Sequence, residues 1–412
     1  MADRKGHIVI LVENLPVPFD RRVWLEANTL TQAGYKVSVI SPCPPEDEVP
    51  DKVIDGIHVY RFPMYAEKQS KLYYIQEFIY CLREVSKRVK QIWQEDPFDV
   101  IHSCNPPDTF WRIARKYKKH GVKFVFDHHD LCPELYESKF NRRDLLWHGL
   151  RWFEKKQFAT ADAVISTNES FKQIAMTRGG KRDEDVVVVR SGPKLDLFKP
   201  IEPVAELKRG RKYMGVYLGV MGSQDGVDYA LRAIRQAVDL GLKDTCFTFI
   251  GQGESLEDLK REAQALGLMD DELVHFAGWC GGLELQQYLS SSDFGIAPDP
   301  KDPLNNLCTM NKVIEYMAMG LPVVSFDLKE SRFSAQDAAV YIPDNDEKAM
   351  GQAFIDLLAD PVKRETMGAV GKRRVNEGLS WDTSQAVLID FYDRLLGNEP
   401  RKTGASEPRQ CV

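Results

Sequence analysis

No stretch of this sequence approaches about 18 uninterrupted apolar residues, so nothing in it reads as a membrane span. Its first residues, MADRKGHIVILVEN, pair a short apolar run with no small-residue cleavage site, and no cleaved leader is expected. The eight cysteines, at 43, 81, 104, 132, 246, 280, 308 and 411, never form a CxxC pair. That scatter argues against a zinc site or disulfide framework and predicts buried thiols in a reducing, cytoplasmic setting. Nucleophile-elbow, Walker A, HExxH and zinc-deaminase signatures are absent. The DND triplet at 344–346 follows AAVYIP and reads as a turn rather than a metal motif. A basic excess is missing too. The net charge is −6; residues 1–200 carry 32 Lys+Arg against 28 Asp+Glu, and residues 201–412 carry 23 against 33. Nucleic acid is therefore excluded as a partner, while the asymmetry suggests two lobes with different partners.

What is present is a globular chain of 412 residues, 43% hydrophobic and 28% charged, long enough for two domains with separate cores. Short β-branched runs alternate with helical periods. In the front half HIVILVEN, YKVSVISP, IDGIHVYRFP, FDVIHSC, KFVFDHHD, ADAVISTN and DVVVVRSGP read as strands. Helices are expected over 22–33, 73–93, 111–120 and 145–160. The alternation breaks at a polar, proline-bearing stretch and restarts with MGVYLGVMG, CFTFIGQG, VHFAGW, SDFGIAPD, PVVSFD and AAVYIPD, separated by further helices. Continuous apolar strands joined by helices mean parallel sheets covered on both faces. The expected fold class is α/β, two doubly wound Rossmann-like domains. We assign 1–195 to the first, 196–212 to a linker, 213–378 to the second, 379–396 to a last amphipathic helix and 397–412 to a disordered tail. Ligands of such sheets bind at the carboxyl edges, here in a cleft between the lobes.

The segment CTMNKVIEYMAMGLPVV (308–324) carries the strongest chemical signal. A helix opening near Thr309, Met310 and Asn311 offers unpaired N–H groups and a positive dipole end to an anion. Lys312 in its first turn opposes that dipole, which a bound phosphate would explain, and Glu315 could accept ribose hydroxyls; an ordinary surface Lys–Glu pair is the alternative. GVMGSQDG (219–226), with Gly222 and Ser223, and FIGQGES (249–255), with Gly251 and Gly253, are glycine turns that either admit a ligand or are merely tight. In ENLPVPFDRRVW the residues Asp20, Arg21 and Arg22 enter a helix, as a phosphate clamp or as a local Asp–Arg pair. FDHHDLCPE brings Asp127, His129, Asp130 and Glu134 to a strand end, where sugar contacts, turn chemistry or, less readily, metal would fit. His102 reads as a packed core histidine. The helix over 70–93, with Lys71, Arg83, Lys87, Arg88 and Lys90, either packs on its sheet or lies on anionic lipid.

Taken together, KVIEYMAMGLPVV with SDFGIAPD before it, FDHHDLCPE, RSGPKLDLFKP, GVMGSQDG, FIGQGESLEDL and LSWDTSQAVLIDFYDRL resemble the retaining glycosyltransferases of family 4, which have the GT-B fold. The resemblance spans nearly the whole chain and implies a nucleotide-sugar donor, UDP- or GDP-linked, in the back half. It places a glycan or lipid-linked acceptor in the front half, with the last helix crossing back to the first lobe. It further implies retention through front-face attack, His129 against the donor sugar or acceptor, and neither metal nor bound cofactor. A place on the inner face of a membrane fits such an acceptor. Three features depart from the family pattern. Leu307 stands where the first Glu of E-x7-E belongs, Val220 and Asp225 stand where Arg and Lys usually hold diphosphate, and the Gly-Gly of the first loop is absent from VPFDRR. On this reading Arg22, Arg190 and Lys312 supply the missing cations. A nucleotide-sugar epimerase using Asp130 and Glu134, or a degenerate non-catalytic partner, are the competing readings.

Overall fold

The computed structural model describes residues 4–43, 51–65, 73–270 and 272–398. The apolar runs of the front half become β1 (His7–Leu11), β2 (Lys36–Cys43), β3 (Asp51–Ile54), β4 (Ile57–Pro63), β5 (Val100–Cys104), β6 (Lys123–His128), β7 (Ala163–Ser166) and β8 (Val186–Val188). They form one sheet in the order β3-β4-β2-β1-β5-β6-β7-β8. All its pairs are parallel except β3 with β4. The back half supplies β9 (Tyr213–Leu218), β10 (Thr245–Ile250), β11 (Val274–Gly278), β12 (Phe294–Ala297), β13 (Val323–Phe326) and β14 (Ala339–Ile342). These make a second, wholly parallel sheet ordered β11-β10-β9-β12-β13-β14.

Alternation along β1 shows why both faces must be covered: Ile8 and Ile10 enter one core, Val9 and Leu11 the other. Side-chain caps fix where the intervening helices begin. Asp20 accepts from the Val23 N–H at the start of Arg21–Gln32, and Asp144 accepts from Leu146 and Trp147 at the start of Leu145–Thr160. The last helix, Trp381–Leu396, leaves the second sheet and packs on the first. Its Trp381, Leu388, Phe391 and Tyr392 join the first-sheet core, the Trp381 indole donates to Thr29 Oγ1 at 3.1 Å, and Asp393 pairs with Lys5 at 2.7 Å. The two-sheet architecture and the returning helix agree with expectation.

Two local readings need correction. IDGIHVYRFP is no single parallel strand. Asp55 and Gly56, at φ 50° and 81°, turn the chain into the antiparallel β3–β4 hairpin at the sheet's edge. Helices Cys132–Phe140, Glu169–Thr177, Lys329–Ala335 and Pro361–Arg374 also went unread. Each is either short or poorly amphipathic; Cys132–Phe140, Glu169–Thr177 and Pro361–Arg374 start at a cap or an early proline rather than a period, and Lys329–Ala335 starts at neither. The proposed tail falls at 397–412, of which 399–412 lie outside the described residues, as does Lys71. No disulfide joins the seven described cysteines, and all but Cys308 are buried. The DND turn ends in Asp346, which caps the helix Glu347–Ala359 through the Ala349 N–H.

Candidate active site

In the second unit, the helix Asn311–Met319 follows a single 3-10 turn and opens at Met310 with no side-chain cap. It ends at Gly320, whose φ of 78° lets the chain turn back toward β13. Lys312 and Glu315 are both buried, so they are not a surface pair. They do not face each other in an ion pair either. Lys312 Nζ lies 2.6 Å from Asp299 Oδ1 and 5.0 Å from the centre of the Tyr217 ring. Burial alone would lower the ammonium's pKa, but Asp299 and Asp225 raise it. The charge that seemed to require a phosphate is thus already matched by the carboxylate after β12. A bound anion would share Lys312 with Asp299, whose Oδ2 is buried without a partner. Asp225 adds a second acid facing Lys312. Burial and Asp299 push it up to about 6, against the pull of Lys312.

The glycine turns owe their composition first to packing. A Cβ on Gly251 would sit 1.8 Å from the Gly219 carbonyl oxygen, and one on Gly253 would sit 2.3 Å from that of Met221. The two loops therefore rest backbone on backbone, and any larger residue would force them apart. Gly222 N–H donates to Asp225 Oδ2 at 2.9 Å, while Ser223 and Val220 are exposed.

The opening of Asn311–Met319 faces the first unit. Asn168 donates to the Leu307 carbonyl at 2.9 Å and to Thr309 Oγ1 at 3.0 Å; Arg21 reaches Glu315 at 2.9 Å. Ser170 donates to Glu330 at 2.6 Å. The Arg190 guanidinium stacks 4.4 Å from the Phe333 ring centre and lies 3.9 Å from Glu330, and burial lowers its pKa. Leu307 takes part in an apolar cluster that crosses the cleft, with Leu131 and Phe171 on one side and Leu304 and Cys308 on the other. The residue replacing the expected glutamate thus helps to join the lobes.

On the first unit's side, Arg22 is committed at every nitrogen. It pairs with Asp127 Oδ1 at 2.8 Å and Glu26 Oε1 at 3.0 Å, and it donates to the Val189 carbonyl and Ser191 Oγ, each at 2.9 Å. The expectation that Arg22 grips diphosphate is corrected: its charge is spent inside the lobe. Burial works to raise the Asp127 pKa, yet Arg22 and His129 hold it well below the usual carboxylate range. Glu26 is pushed well above that range by burial, despite Arg22. His129 Nε2 contacts Asp127 Oδ2 and lies 2.8 Å from Arg22 Nε, while its backbone N–H donates to Asn105. His102 is a core residue, held 2.6 Å from the Tyr392 hydroxyl, with its pKa lowered by burial.

Other expectations at this edge also shift. Asp20 caps the helix Arg21–Gln32 through the Val23 N–H. Glu134 is occupied by Arg178, which also contacts Glu154, so Asp130 and Glu134 form no free proton-shuttling pair for epimerisation. Asp130 holds to Asn105 through its backbone, and burial raises its carboxyl pKa. Glu26, Asp127 and His129 lie close enough to share an ion, as do His102, Cys104 and Asp127. The residues do not fit one. Arg22 already places a fixed cation on Asp127, Glu26 and His129, and burial keeps the Cys104 thiol protonated.

The residues missed at the sequence level are Asn168, Asp299 and Glu26. Asn168 was legible as an N-cap in STNES, since it accepts from the Phe171 N–H. Asp299 had only its place after a buried strand to mark it.

Comparison with known proteins bears on this arrangement. The family described as Glycosyltransferase Family 4 matches residues 20–197, and that described as Glycosyl transferases group 1 matches 212–360. A phosphatidyl-myo-inositol mannosyltransferase of Mycolicibacterium smegmatis is 24% identical over 383 residues, covering 90% of this chain and 88% of that protein. The structure of sucrose-phosphate synthase from Thermosynechococcus elongatus superposes with a TM-score of 0.78 at 18% identity, over 95% of this chain and 99% of that one. Anabaena HepE in complex with UDP-glucose gives a TM-score of 0.68 at 13% identity, over 94% and 100% of the two chains.

Proposed function

The chain belongs to glycosyltransferase family 4, with the GT-B fold, and we propose that it moves a sugar from a nucleotide-sugar donor to a glycan or lipid-linked acceptor with retention of anomeric configuration. The donor belongs to the unit spanning 213–378 and the acceptor to that spanning 1–195. One observation carries this reading. The uncapped start of Asn311–Met319 faces the opposing lobe, with Lys312 and Glu315 in its first turns.

Loss of a diphosphate develops negative charge on the leaving oxygen. The free N–H groups of a helix start, equivalent to roughly half a positive charge, stabilise it without reorganisation. Thr309, Met310 and Asn311 offer backbone N–H groups to that diphosphate, and Lys312 supplies the side-chain cation. Glu315 accepts ribose hydroxyls once Arg21 releases it. Gly222, Ser223, Gly251 and Gly253 border the donor through their loops, and Arg190 stands by at the lobe junction. His129, held by Asp127 and Arg22, contacts the sugar or acceptor. The acceptor attacks from the face the diphosphate leaves, and a departing phosphate oxygen takes its proton. This scheme uses no metal and no bound cofactor. The UDP-glucose complex of HepE supports a uridine donor, and the lipid in the mycobacterial relative's name supports a lipid-borne acceptor reached by peripheral membrane contact. No helix among the described residues is long and apolar enough to cross a membrane.

Incubation with a panel of nucleotide sugars, with and without lipid acceptors, tests the reading. Acceptor-dependent nucleotide release from one donor, with an unchanged anomeric signal by NMR, is the expected result. A second reading, a non-catalytic binding partner, draws on Leu307 in its apolar cluster and on Asp225 beside Lys312. Nucleotide binding without release from any donor would favour it.

A further inference from the structure

The helix Leu145–Thr160 carries apolar side chains on the face where a sheet-packed helix should be polar. Its inner face is conventional: Glu154, Gln157 and Phe158 are buried. Outward, Leu145 is 89% and Trp152 49% exposed, and Leu146 and Phe140 are exposed beside them. Single exposed apolar residues need no explanation, but Leu145 and Trp152, seven residues apart, fall on one face of the helix and share a rim.

That rim is basic. Trp152 meets Trp111 edge to face, 6.0 Å between ring centres, and so joins the helix Trp111–Lys118 to the patch. Arg112 and Arg115 each lie 5.8 Å from the Trp111 ring, and Lys156 lies 5.4 Å from that of Trp152. Arg112, Arg115, Lys116, Lys119, Lys155 and Lys156 are exposed and take part in no ion pair among the described residues. The nearby acids are spoken for. Asp144 caps the helix and pairs with Arg142, Glu137 holds Arg143, and Glu154 is buried against Arg151 and Arg178.

We propose that this face, Leu145 and Trp152 framed by the free cations of 112–119 and 155–156, docks on an anionic lipid surface. Apolar side chains enter the acyl boundary while arginines and lysines meet headgroup phosphates. A second copy of the same face would set cation against cation, which argues against self-association. The patch also adjoins the cleft: Ser138 and Lys139, just before Phe140, touch Asp302 and Glu254 of the opposite lobe at 2.8 and 3.6 Å. Docking there presents the lobe junction to the bilayer. The inference deepens the reading of a lipid-borne acceptor by naming the surface that meets the lipid, and it moves membrane contact away from the 73–95 helix. It rests on that reading only for the acceptor's route.

Flotation of the full chain with vesicles tests it, using phosphatidylcholine alone and an equal mixture with phosphatidylglycerol. Binding to the mixture only, weakened by salt, is expected. The variants L145D/W152E and R112E/R115E/K155E/K156E should each lose roughly tenfold or more in partitioning. R83E/K90E, on the 73–95 helix, should bind as the parent does. Circular dichroism checks folding, and nucleotide-sugar binding in vesicle-free solution should be unchanged in all three. Equal binding by parent and patch variants, loss confined to R83E/K90E, binding to neutral vesicles, or no flotation at all would overturn the proposal. So would a dimer in solution that the patch variants dissolve. None of these outcomes touches nucleotide release from a soluble donor, which tests the proposed function separately.

Discussion

Two buried cations, one in each lobe, keep unlike company. In the first lobe Arg22 is saturated, with Asp127, Glu26, a carbonyl and a hydroxyl closing every direction its guanidinium can point. In the second lobe Lys312 has one short partner, Asp299, with a second acid nearby, an orphaned carboxylate oxygen behind it and an uncapped helix start beside it. From sequence both looked like phosphate ligands. What separates them is whether their hydrogen-bonding directions are already filled. A saturated buried cation holds structure together, whereas an unsaturated one keeps capacity for a ligand.

The hardest blow to that contrast comes from removing Arg22. Arg22→Met strips the buried Asp127 of its fixed cation and Glu26 of its partner, and should cost about 3–5 kcal/mol of stability. The urea midpoint measures it. Were the midpoint unmoved while nucleotide-sugar affinity collapsed, Arg22 would be a ligand after all, and the two cations would not differ in kind.

Lys312→Met should act at the other end of the comparison. Removal of one charge-assisted contact to diphosphate costs about 1.5–3 kcal/mol of donor binding, roughly ten- to hundredfold in affinity by calorimetry. The same change leaves Asp299 unpaired, so part of the loss is repulsion between Asp299 and the anion. Adding Asp299→Asn should therefore recover some affinity. A double variant no better than the single would mean that Asp299 never competes with the ligand.

How much of this was legible beforehand follows from the kind of signal involved. The strands and long helices could be read because burial on both sheet faces writes itself as β-branched runs, and amphipathic helices write a 3.6-residue period. The start of Asn311–Met319 could be read because a loop, a helix and a glycine stop are all local features. Nothing local marks Asp299 as the partner of Lys312, thirteen residues on, or Glu315 as the partner of Arg21, from the other half of the chain. Arg22 was misread for the same reason. Its partner Asp127 comes from a strand 105 residues away, and only the fold shows that the charge is already spent. Caps such as Asn168 were legible, but periodicity drew the reading past them.

A smaller effect should appear with pH. Burial and Asp299 raise Asp225 to about 6, so below that value it is neutral and above it sets a negative charge beside Lys312. Donor affinity should fall as pH rises from 5 to 7, by about threefold to tenfold, on the order of 1 kcal/mol for a charge at this range in a medium of intermediate polarity. The intact nucleotide sugar is the right probe, because a terminal phosphate of the free nucleotide would itself ionise in that window. Asp225→Asn should abolish the slope and hold the low-pH affinity. A slope that survives the substitution would place the titrating group elsewhere.

Arg21 is the least costly residue to remove and the one that joins the two halves of the comparison. Its side chain is 64% exposed, and its pair with Glu315 at 2.9 Å spans the cleft. An ion pair with one exposed partner contributes at most about 1 kcal/mol, so Arg21→Ala should leave the unfolding midpoint nearly unchanged. Donor binding is the informative readout. If Glu315 serves ribose hydroxyls, Arg21 competes with them, and its loss should strengthen nucleotide-sugar binding by about twofold or threefold, a few tenths of a kcal/mol. Weaker binding would instead mean that Arg21 turns from Glu315 to the diphosphate when the donor arrives. The first lobe would then contribute an unsaturated cation of its own, and the division between a structural charge on one side and a ligand-ready charge on the other would run between neighbours in sequence, Arg21 and Arg22, rather than between lobes.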